Sequence, residues 1–136
     1  MASSEKRRTT ASMAAVVFSA LFIFQVLLAA GVPWGRAAFG GSSDILTPGL
    51  RIASAISALL FLGAIWAVLA SAAVIAVGRG ARRLARWAMW GYVALFSLSA
   101  LLNFASSSPW ERFGMAPLAL LLVACCLLVT RGPGID

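Results

Sequence analysis

The chain has 136 residues, of which 62% are hydrophobic and 11% are charged. A water-soluble domain carries about 25% charged residues, so a soluble fold of this composition could not cover its surface. The class that remains is an integral membrane protein. The net charge of +7 falls at the boundaries of apolar segments, which suits anionic lipid headgroups. Since no nucleic-acid-binding motif accompanies that charge, we expect no nucleic-acid partner.

The first segment, residues 1–10, is polar and basic, and we expect a mobile arm on the cytoplasmic side. The apolar run 11–31 follows it and is long enough to cross a bilayer, which takes about 20 residues. A basic start before an apolar run is also typical of a secretory signal peptide. This run is long for a signal and three more apolar runs follow, which favours an uncleaved first span.

A loop and a second span come next. Residues 31–49 contain five glycines and two prolines, a composition that predicts a loop. The second span is predicted over residues 50–77. Its small residues Gly63, Ala67 and Ser71 fall on one helical stripe, and such stripes let two helices approach closely in lipid.

The second half of the chain repeats this layout after a basic cluster. The cluster between residues 79 and 86 is predicted to form a loop that overlaps the start of the third span, residues 84–105. A short loop over 106–112 leads to the fourth span, residues 113–130. Arg131 closes that span, and residues 132–136 form a tail.

The distribution of basic residues predicts the orientation of these spans. Eight of the eleven basic residues fall on one side of the predicted membrane: Lys6, Arg7, Arg8, Arg79, Arg82, Arg83, Arg86 and Arg131. Basic loops stay in the cytoplasm, so we expect both termini there. Lipid cannot satisfy unpaired backbone groups, which makes helices the spanning element. The prediction is an all-α, four-helix transmembrane bundle of two helical hairpins over residues 11–131, in the inner (plasma) membrane of a bacterial cell.

The two predicted outer loops share a motif. Pro33-Trp34-Gly35-Arg36 in the first loop corresponds to Pro109-Trp110-Glu111-Arg112 in the second. Two hairpins of the same orientation can arise by duplication about an axis along the membrane normal. Tryptophan and arginine are also common at membrane interfaces for independent reasons. Both explanations stay open.

These loop motifs carry a resemblance. The motifs that carry the resemblance are Gly31-Val32-Pro33-Trp34-Gly35, Gly40-Gly41, Thr47-Pro48 with Arg51, and Ser108-Pro109-Trp110-Glu111-Arg112. The chain resembles a group of small uncharacterised membrane proteins of bacteria, especially of actinobacterial type. The resemblance covers nearly the whole chain. It implies four spans and a plasma-membrane location, and it supplies no catalytic residues.

Polar residues that the topology does not explain gather toward the predicted outer side. The candidate ligand-binding residues are Gln25, Trp34, Arg36, Arg51, Asn103, Trp110, Glu111 and Arg112. Polar groups at membrane depth indicate function by default, and we expect Arg51 to reach Asp44 or Glu111. The competing interpretation is that the arginines extend to lipid headgroups. On that interpretation, Gln25 and Asn103 form hydrogen bonds between helices.

The inventory of reactive groups favours a non-catalytic protein. The chain has no histidine, the commonest general base and metal ligand. The adjacent Cys125 and Cys126 have no redox spacing, and we expect no metal or cofactor. None of the four acidic residues falls within a predicted span, which argues against a small four-span, proton-coupled exporter.

Three hypotheses for function follow from this inventory. The first is a structural or accessory membrane subunit that contacts membrane lipids and forms a homo-oligomer or joins a larger membrane complex. The second is binding or transport of an anionic or amphipathic small molecule or lipid in an outward-facing pocket between the hairpins. The third is an enzyme acting on a lipid-linked substrate, because arginine pairs hold phosphates.

Overall fold

The computed structural model describes residues 2–131, and every regular element within that range is helical. The elements are α1 (Ala2–Ala30), α2 (Pro48–Ser71), α3 (Arg79–Ala105), a π-helical turn (Glu111–Met115) and α4 (Ala116–Thr130), which continues that turn. Two short 3₁₀ turns, Gly35–Ala37 and Phe39–Gly41, lie between α1 and α2. With the π turn counted in the fourth, four helices are long and apolar enough to cross a membrane. The predicted all-α four-helix bundle is confirmed.

The four helices form a ring in chain order. Helix α1 packs on α2 and α3 packs on α4, and these two hairpins meet along α2–α3 and α1–α4. We call the end with loops 31–47 and 106–110 the loop end, and the end with the start of α1 and the turn 72–78 the basic end. Phe18 is fully buried in the middle, stacked on Phe96 with ring centroids 5.5 Å apart. Aromatic stacking thus joins the hairpins at their centre.

Local chemistry explains where the first loop begins and ends. Gly31, with φ of 99°, closes α1 in a Schellman motif, in which Gly31 N–H donates to Leu28 O and Val32 N–H to Leu27 O. Glycine is favoured there because a left-handed residue with a side chain is strained. Thr47 caps α2 by accepting a hydrogen bond from Leu50 N–H, and Pro48 occupies the first turn, as helix starts prefer.

The structure differs from the prediction of a mobile arm over residues 1–10. Helix α1 begins at Ala2, nine residues before the predicted span. No glycine or proline interrupts the chain between Ala2 and Gly31, and Arg7 on this segment is buried against the bundle. Arg7 Nε donates to Val129 O at 2.8 Å and an Arg7 Nη donates to Ser71 O at 2.6 Å. These tertiary bonds hold the basic segment in the helix.

The boundaries around the basic cluster also differ from those predicted. Helix α2 ends at Ser71 instead of residue 77, because Ala73 adopts a left-handed φ of 54° and Val74 N–H returns to Leu69 O. The apolar run 72–77 gave no sign of this turn. Helix α3 begins at Arg79, so the basic cluster forms a helical turn rather than a loop. Arginine is a good helix former, and Gly78 supplies the extended residue before the helix.

The fourth helix begins earlier than the predicted residue 113. Its candidate span runs from Glu111 to Thr130 and opens with the π turn. Pro117 explains the turn, since proline has no N–H and its ring crowds the carbonyl four residues earlier. Ala116 N–H therefore bonds to Glu111 O, five residues back. The prediction that no acidic residue lies within a span is wrong, because Glu111 is the first residue of the fourth span and Glu5 lies in the first turn of α1.

The small-residue stripe on α2 faces the bundle as predicted. Ala67 and Ser71 are buried, and Gly63 lies against Tyr92 of α3. Tyr92 donates its hydroxyl to Leu60 O at 2.8 Å, and a Cβ at Gly63 would lie 2.5 Å from that hydroxyl oxygen. The absence of a side chain at Gly63 permits this α2–α3 contact.

Candidate functional site

A cavity of about 560 Å³ lies at the loop end of the bundle. All four helices and the loop between α1 and α2 contribute to its wall. The residues that line it are Leu21, Phe24, Gln25, Ala37, Ala38, Phe39, Gly40, Ser57, Leu60, Phe61, Leu95, Phe96, Leu98, Ser99, Leu102, Asn103, Ala105, Ser106, Glu111, Met115, Leu118, Ala119 and Leu122. Its volume is within the range of about 300–1,000 Å³ typical of small-molecule sites.

The floor and one side of the cavity are apolar. Phe61 and Phe96 line the inner part of the cavity and stack on each other, with ring centroids 6.0 Å apart. Leu60 of α2 and Leu98 and Leu102 of α3 line the side while remaining 44%, 54% and 63% exposed. In a bilayer, the exposed parts of these three side chains would meet lipid.

Polar groups concentrate near the loop end of the cavity. Gln25 Oε1 is buried and has no hydrogen-bond partner among the described residues. Asn103 Nδ2 donates to Ser99 Oγ at 3.4 Å, one turn back on the same helix. Glu111 is 5% exposed, and its Oε1 accepts the Gly40 N–H at 2.8 Å. The cavity therefore has an apolar interior and a polar region at the loop end. We call this polar region, beside Gln25, Asn103 and Glu111, the mouth of the cavity.

The roof of the cavity is the loop segment 37–40, which is held down by the other hairpin. Besides the Gly40–Glu111 bond, Ser108 Oγ donates to Arg36 O at 2.9 Å. Gly41 has φ of 66°, and a Cβ there would lie 2.7 Å from Ser108 Oγ. Glycine at this position thus lets the two loops meet above the cavity.

Phe39 occupies a strained position in this roof. Its φ is 52°, in the left-handed region that costs a residue with a side chain about 1–2 kcal/mol. The Phe39 ring lines the cavity, and the surrounding loop bonds maintain the backbone geometry. Strained residues held by their surroundings cluster at functional sites.

The cavity includes three of the eight predicted site residues and leaves out five. Gln25, Asn103 and Glu111 line it. Those that do not line it are Trp34, Arg36, Arg51, Trp110 and Arg112. Trp34 stacks on Phe24 with centroids 6.4 Å apart, and Trp110 is 68% exposed, which fits aromatic side chains at a membrane interface.

The three arginines have structural partners, which corrects the expected pairing of Arg51. Arg36 pairs with Asp44 at 2.6 Å. Arg51 Nε donates to Ala29 O at 2.8 Å and its guanidinium lies against Gly31, so it caps the end of α1 in place of an acidic partner. Arg112 Nε donates to Phe104 O at 3.2 Å. Arginine is well placed at such helix ends because it meets free carbonyls and the negative end of the helix dipole.

The amides do not form the expected hydrogen bonds between helices. The Asn103–Ser99 bond lies within α3, and the Gln25 oxygen has no partner among residues 2–131. The Gln25 side chain lines the cavity, while its oxygen is enclosed by the protein without a hydrogen-bond partner in the described part of the chain.

The sequence analysis did not predict the structural role of Arg7, which appears there only among the basic residues that predict the membrane orientation. Its buried guanidinium joins α1 to the C-terminal ends of α2 and α4. Helical spacing contained a signal: Arg7, Ala11, Ala14 and Phe18 share one face of α1 and are all buried. Gln25 falls on that face too, 18 residues or five turns after Arg7.

Within residues 2–131 no group of three metal-ligating side chains occurs, and the polar side chains of the cavity lining are one carboxylate, two amides and three serine hydroxyls. Such a lining is suited to non-covalent recognition by hydrogen bonds, charge and apolar contact. The chain matches no protein-family model, no curated protein and no solved structure.

Proposed function

We propose that this protein binds a single-tailed amphipathic molecule in the cavity between its two helical hairpins. The observation that supports the proposal is the cavity itself, which has an apolar interior, a polar mouth and, on its α2 and α3 side, lining leucines that are also exposed at the protein surface. A ligand with an apolar tail enters such a site from the lipid phase and keeps its headgroup beside Gln25, Asn103 and Glu111.

The size of the cavity supports one tail. A water molecule has a share of about 30 Å³ in the liquid, and a methylene group is of similar size. The cavity of about 560 Å³ thus holds roughly 20 such groups. That is enough for one chain with a small headgroup.

The hypothesis of an anionic ligand has less support. None of the arginines among residues 2–131 lines the cavity, and Arg36, Arg51 and Arg112 have partners elsewhere. The accessory-subunit hypothesis and the lipid-linked enzyme hypothesis stay predictions. Placement of the cavity mouth toward the outside of the cell likewise belongs to the proposal and follows from the positive-inside distribution.

Photolabelling in lipid nanodiscs tests this function. The probe is a dodecanol analogue with a diazirine in its tail, and the labelled residues are mapped by mass spectrometry. We expect saturable labelling on α2 and α3 around Leu60 and Leu98, competed by unlabelled dodecanol. Labelling that never saturates, or that spreads evenly over all lipid-facing residues, would contradict the proposal.

A pair of tryptophan variants provides the control. Ala105→Trp puts an indole at the mouth of the cavity, whereas Ala94→Trp puts one on the exposed, non-lining face of the same helix. We expect Ala105→Trp to reduce saturable labelling about tenfold, as expected for loss of ~1.4 kcal/mol of binding free energy. Ala94→Trp should leave the labelling unchanged, and an equal loss in both variants would point to a general effect on the bundle.

A further inference from the structure

We propose that the cavity selects amphiphiles with a positively charged headgroup, an ammonium being the simplest, and that Glu111 is the residue that selects them. This inference rests on the proposed function and narrows its ligand class. Glu111 is the one charged residue among the described residues that line the cavity.

The burial of Glu111 is the first observation behind this selection. The side chain is 5% exposed and lies where the fourth span opens. A buried carboxylate without a counter-charge is costly, because the interior does not replace its hydration. A favourable partner is therefore expected in the site.

Among the described residues, no basic side chain forms an ion pair with that carboxylate. Within residues 2–131 the ion pair found is Arg36 with Asp44, and the adjacent Arg112 turns back to Phe104 O. One carboxylate oxygen accepts the Gly40 N–H, a single neutral donor. A cationic headgroup in the cavity would supply the missing charge.

Two other polar residues of the lining contribute oxygen acceptors that agree with this headgroup, while the Asn103 amide nitrogen donates within its own helix. Gln25 Oε1 is an acceptor that is enclosed without a partner among the described residues, and the hydroxyl hydrogen of Ser57 is already donated to Ala53 O. Ammonium headgroups present N–H donors or a diffuse positive charge, both of which oxygen acceptors stabilise. The π turn is the device that places Glu111 here, and π turns often mark functional sites.

Competition against the dodecanol photoprobe measures the headgroup preference. The competitors share one tail and differ in charge: dodecyltrimethylammonium, dodecanol and dodecanoate, each corrected for partitioning into empty nanodiscs of neutral phosphatidylcholine. We expect dodecyltrimethylammonium to compete at about tenfold lower concentration than dodecanol, in line with one partly buried ion pair. Dodecanoate should be the weakest competitor.

The variant Glu111→Gln keeps the shape of the side chain and an oxygen that can accept the Gly40 N–H. We expect it to lose the preference for dodecyltrimethylammonium over dodecanol, whatever its affinity for the neutral probe. The matched control Asp44→Asn removes a charge from the exposed loop pair and should keep the preference. If Glu111→Gln does not fold, Ser106→Lys adds a fixed cation at the lining and should weaken dodecyltrimethylammonium selectively.

The outcomes separate this inference from the proposed function. Saturable labelling without a cation preference, a preference that survives in Glu111→Gln, or a preference for dodecanoate would each overturn the role of Glu111 while leaving the cavity as a binding site. Absence of saturable labelling of the unsubstituted protein by the neutral probe would contradict both the proposed function and the role of Glu111.

Discussion

Arg7 is the residue whose burial most changes the picture of this chain. A guanidinium that is 5% exposed lies at the basic end and bonds to carbonyls at the ends of two other helices. Those carbonyls belong to Ser71 and Val129, which lie in the last turns of α2 and α4. Arginine thus contributes hydrogen bonds and a favourable interaction with two helix dipoles at one point.

Replacement of Arg7 should destabilise the bundle. We expect Arg7→Met to lower the free energy of unfolding by about 2–3 kcal/mol, because hydrogen bonds to charged groups contribute roughly 1.5–3 kcal/mol and their loss leaves carbonyls unpaired. The exposed Arg8 provides the control, and Arg8→Met should change stability by less than about 0.5 kcal/mol. Equal effects would indicate that charge alone matters at this end.

The chain contains its own reporter for such measurements. Cys126 is fully buried in α4, so a fluorogenic maleimide reaches it only when the bundle opens. Thermal unfolding in mild detergent can be followed by this reaction, with Cys125 replaced by alanine to leave one thiol.

At the scale of elements, the contact between α2 and α3 depends on close approach. The Tyr92 hydroxyl fits over Gly63 and bonds to Leu60 O. Small residues at helix crossings have this role in membrane proteins, where packing replaces the hydrophobic effect as the driving force.

A methyl group at Gly63 should disturb this crossing. We expect Gly63→Ala to destabilise the protein by about 1–3 kcal/mol, because overpacking forces helices apart or side chains out of their rotamers. Gly91→Ala on α3 meets nothing within 4 Å and should be neutral or stabilising by up to about 1 kcal/mol, as helix propensity predicts. Maleimide-detected unfolding temperatures compare the two.

A second substitution checks the cause. Tyr92→Phe removes the hydroxyl that a Gly63 methyl group would meet, so the double variant should be more stable than the sum of its single effects allows. Additive losses would show that the Tyr92 hydroxyl is not the atom in conflict, since only contacting sites couple in this way.

At the scale of the whole molecule, the two hairpins of the proposed repeat have different local roles. Arg36 pairs with Asp44 in the loop between α1 and α2, whose segment 37–40 roofs the cavity. The corresponding Arg112 lies in the π turn. Phe39 lines the cavity, and its counterpart Phe113 is 76% exposed. Duplication of the hairpins stays a prediction, as does the resemblance to small bacterial membrane proteins.

The orientation of the bundle can be tested by thiol labelling in intact cells. With Cys125 and Cys126 replaced by alanine, single cysteines are introduced at the exposed positions Ser42 and Arg83. We expect a membrane-impermeant maleimide to label Ser42→Cys in intact cells and Arg83→Cys only after permeabilisation, because basic segments stay in the cytoplasm. The reverse pattern would place the cavity mouth on the cytoplasmic side.

Sequence alone determined the class and the number of helices. With 62% hydrophobic residues, a water-soluble fold could not cover its surface with polar groups. The length of each apolar run is a local feature of the sequence, because it is set by the thickness of the bilayer. The end of α1 at Gly31 was readable, since backbone preferences act within a few residues, whereas α2 begins at Pro48, two residues before the predicted start. The π turn of α4 has its cause in Pro117, although its consequence for Glu111 does not show in the local pattern.

Only the tertiary structure decided which polar residues face the cavity and which support the fold. Arg51 and Glu111 look alike in sequence, each being a charged residue at the start of a span. One caps a neighbouring helix and the other lines the cavity, because the distance from each side chain to free carbonyls depends on how the hairpins pack. The same holds for Arg7, whose partners are 64 and 122 residues away. Long-range geometry of this kind has no counterpart in spacing along the chain.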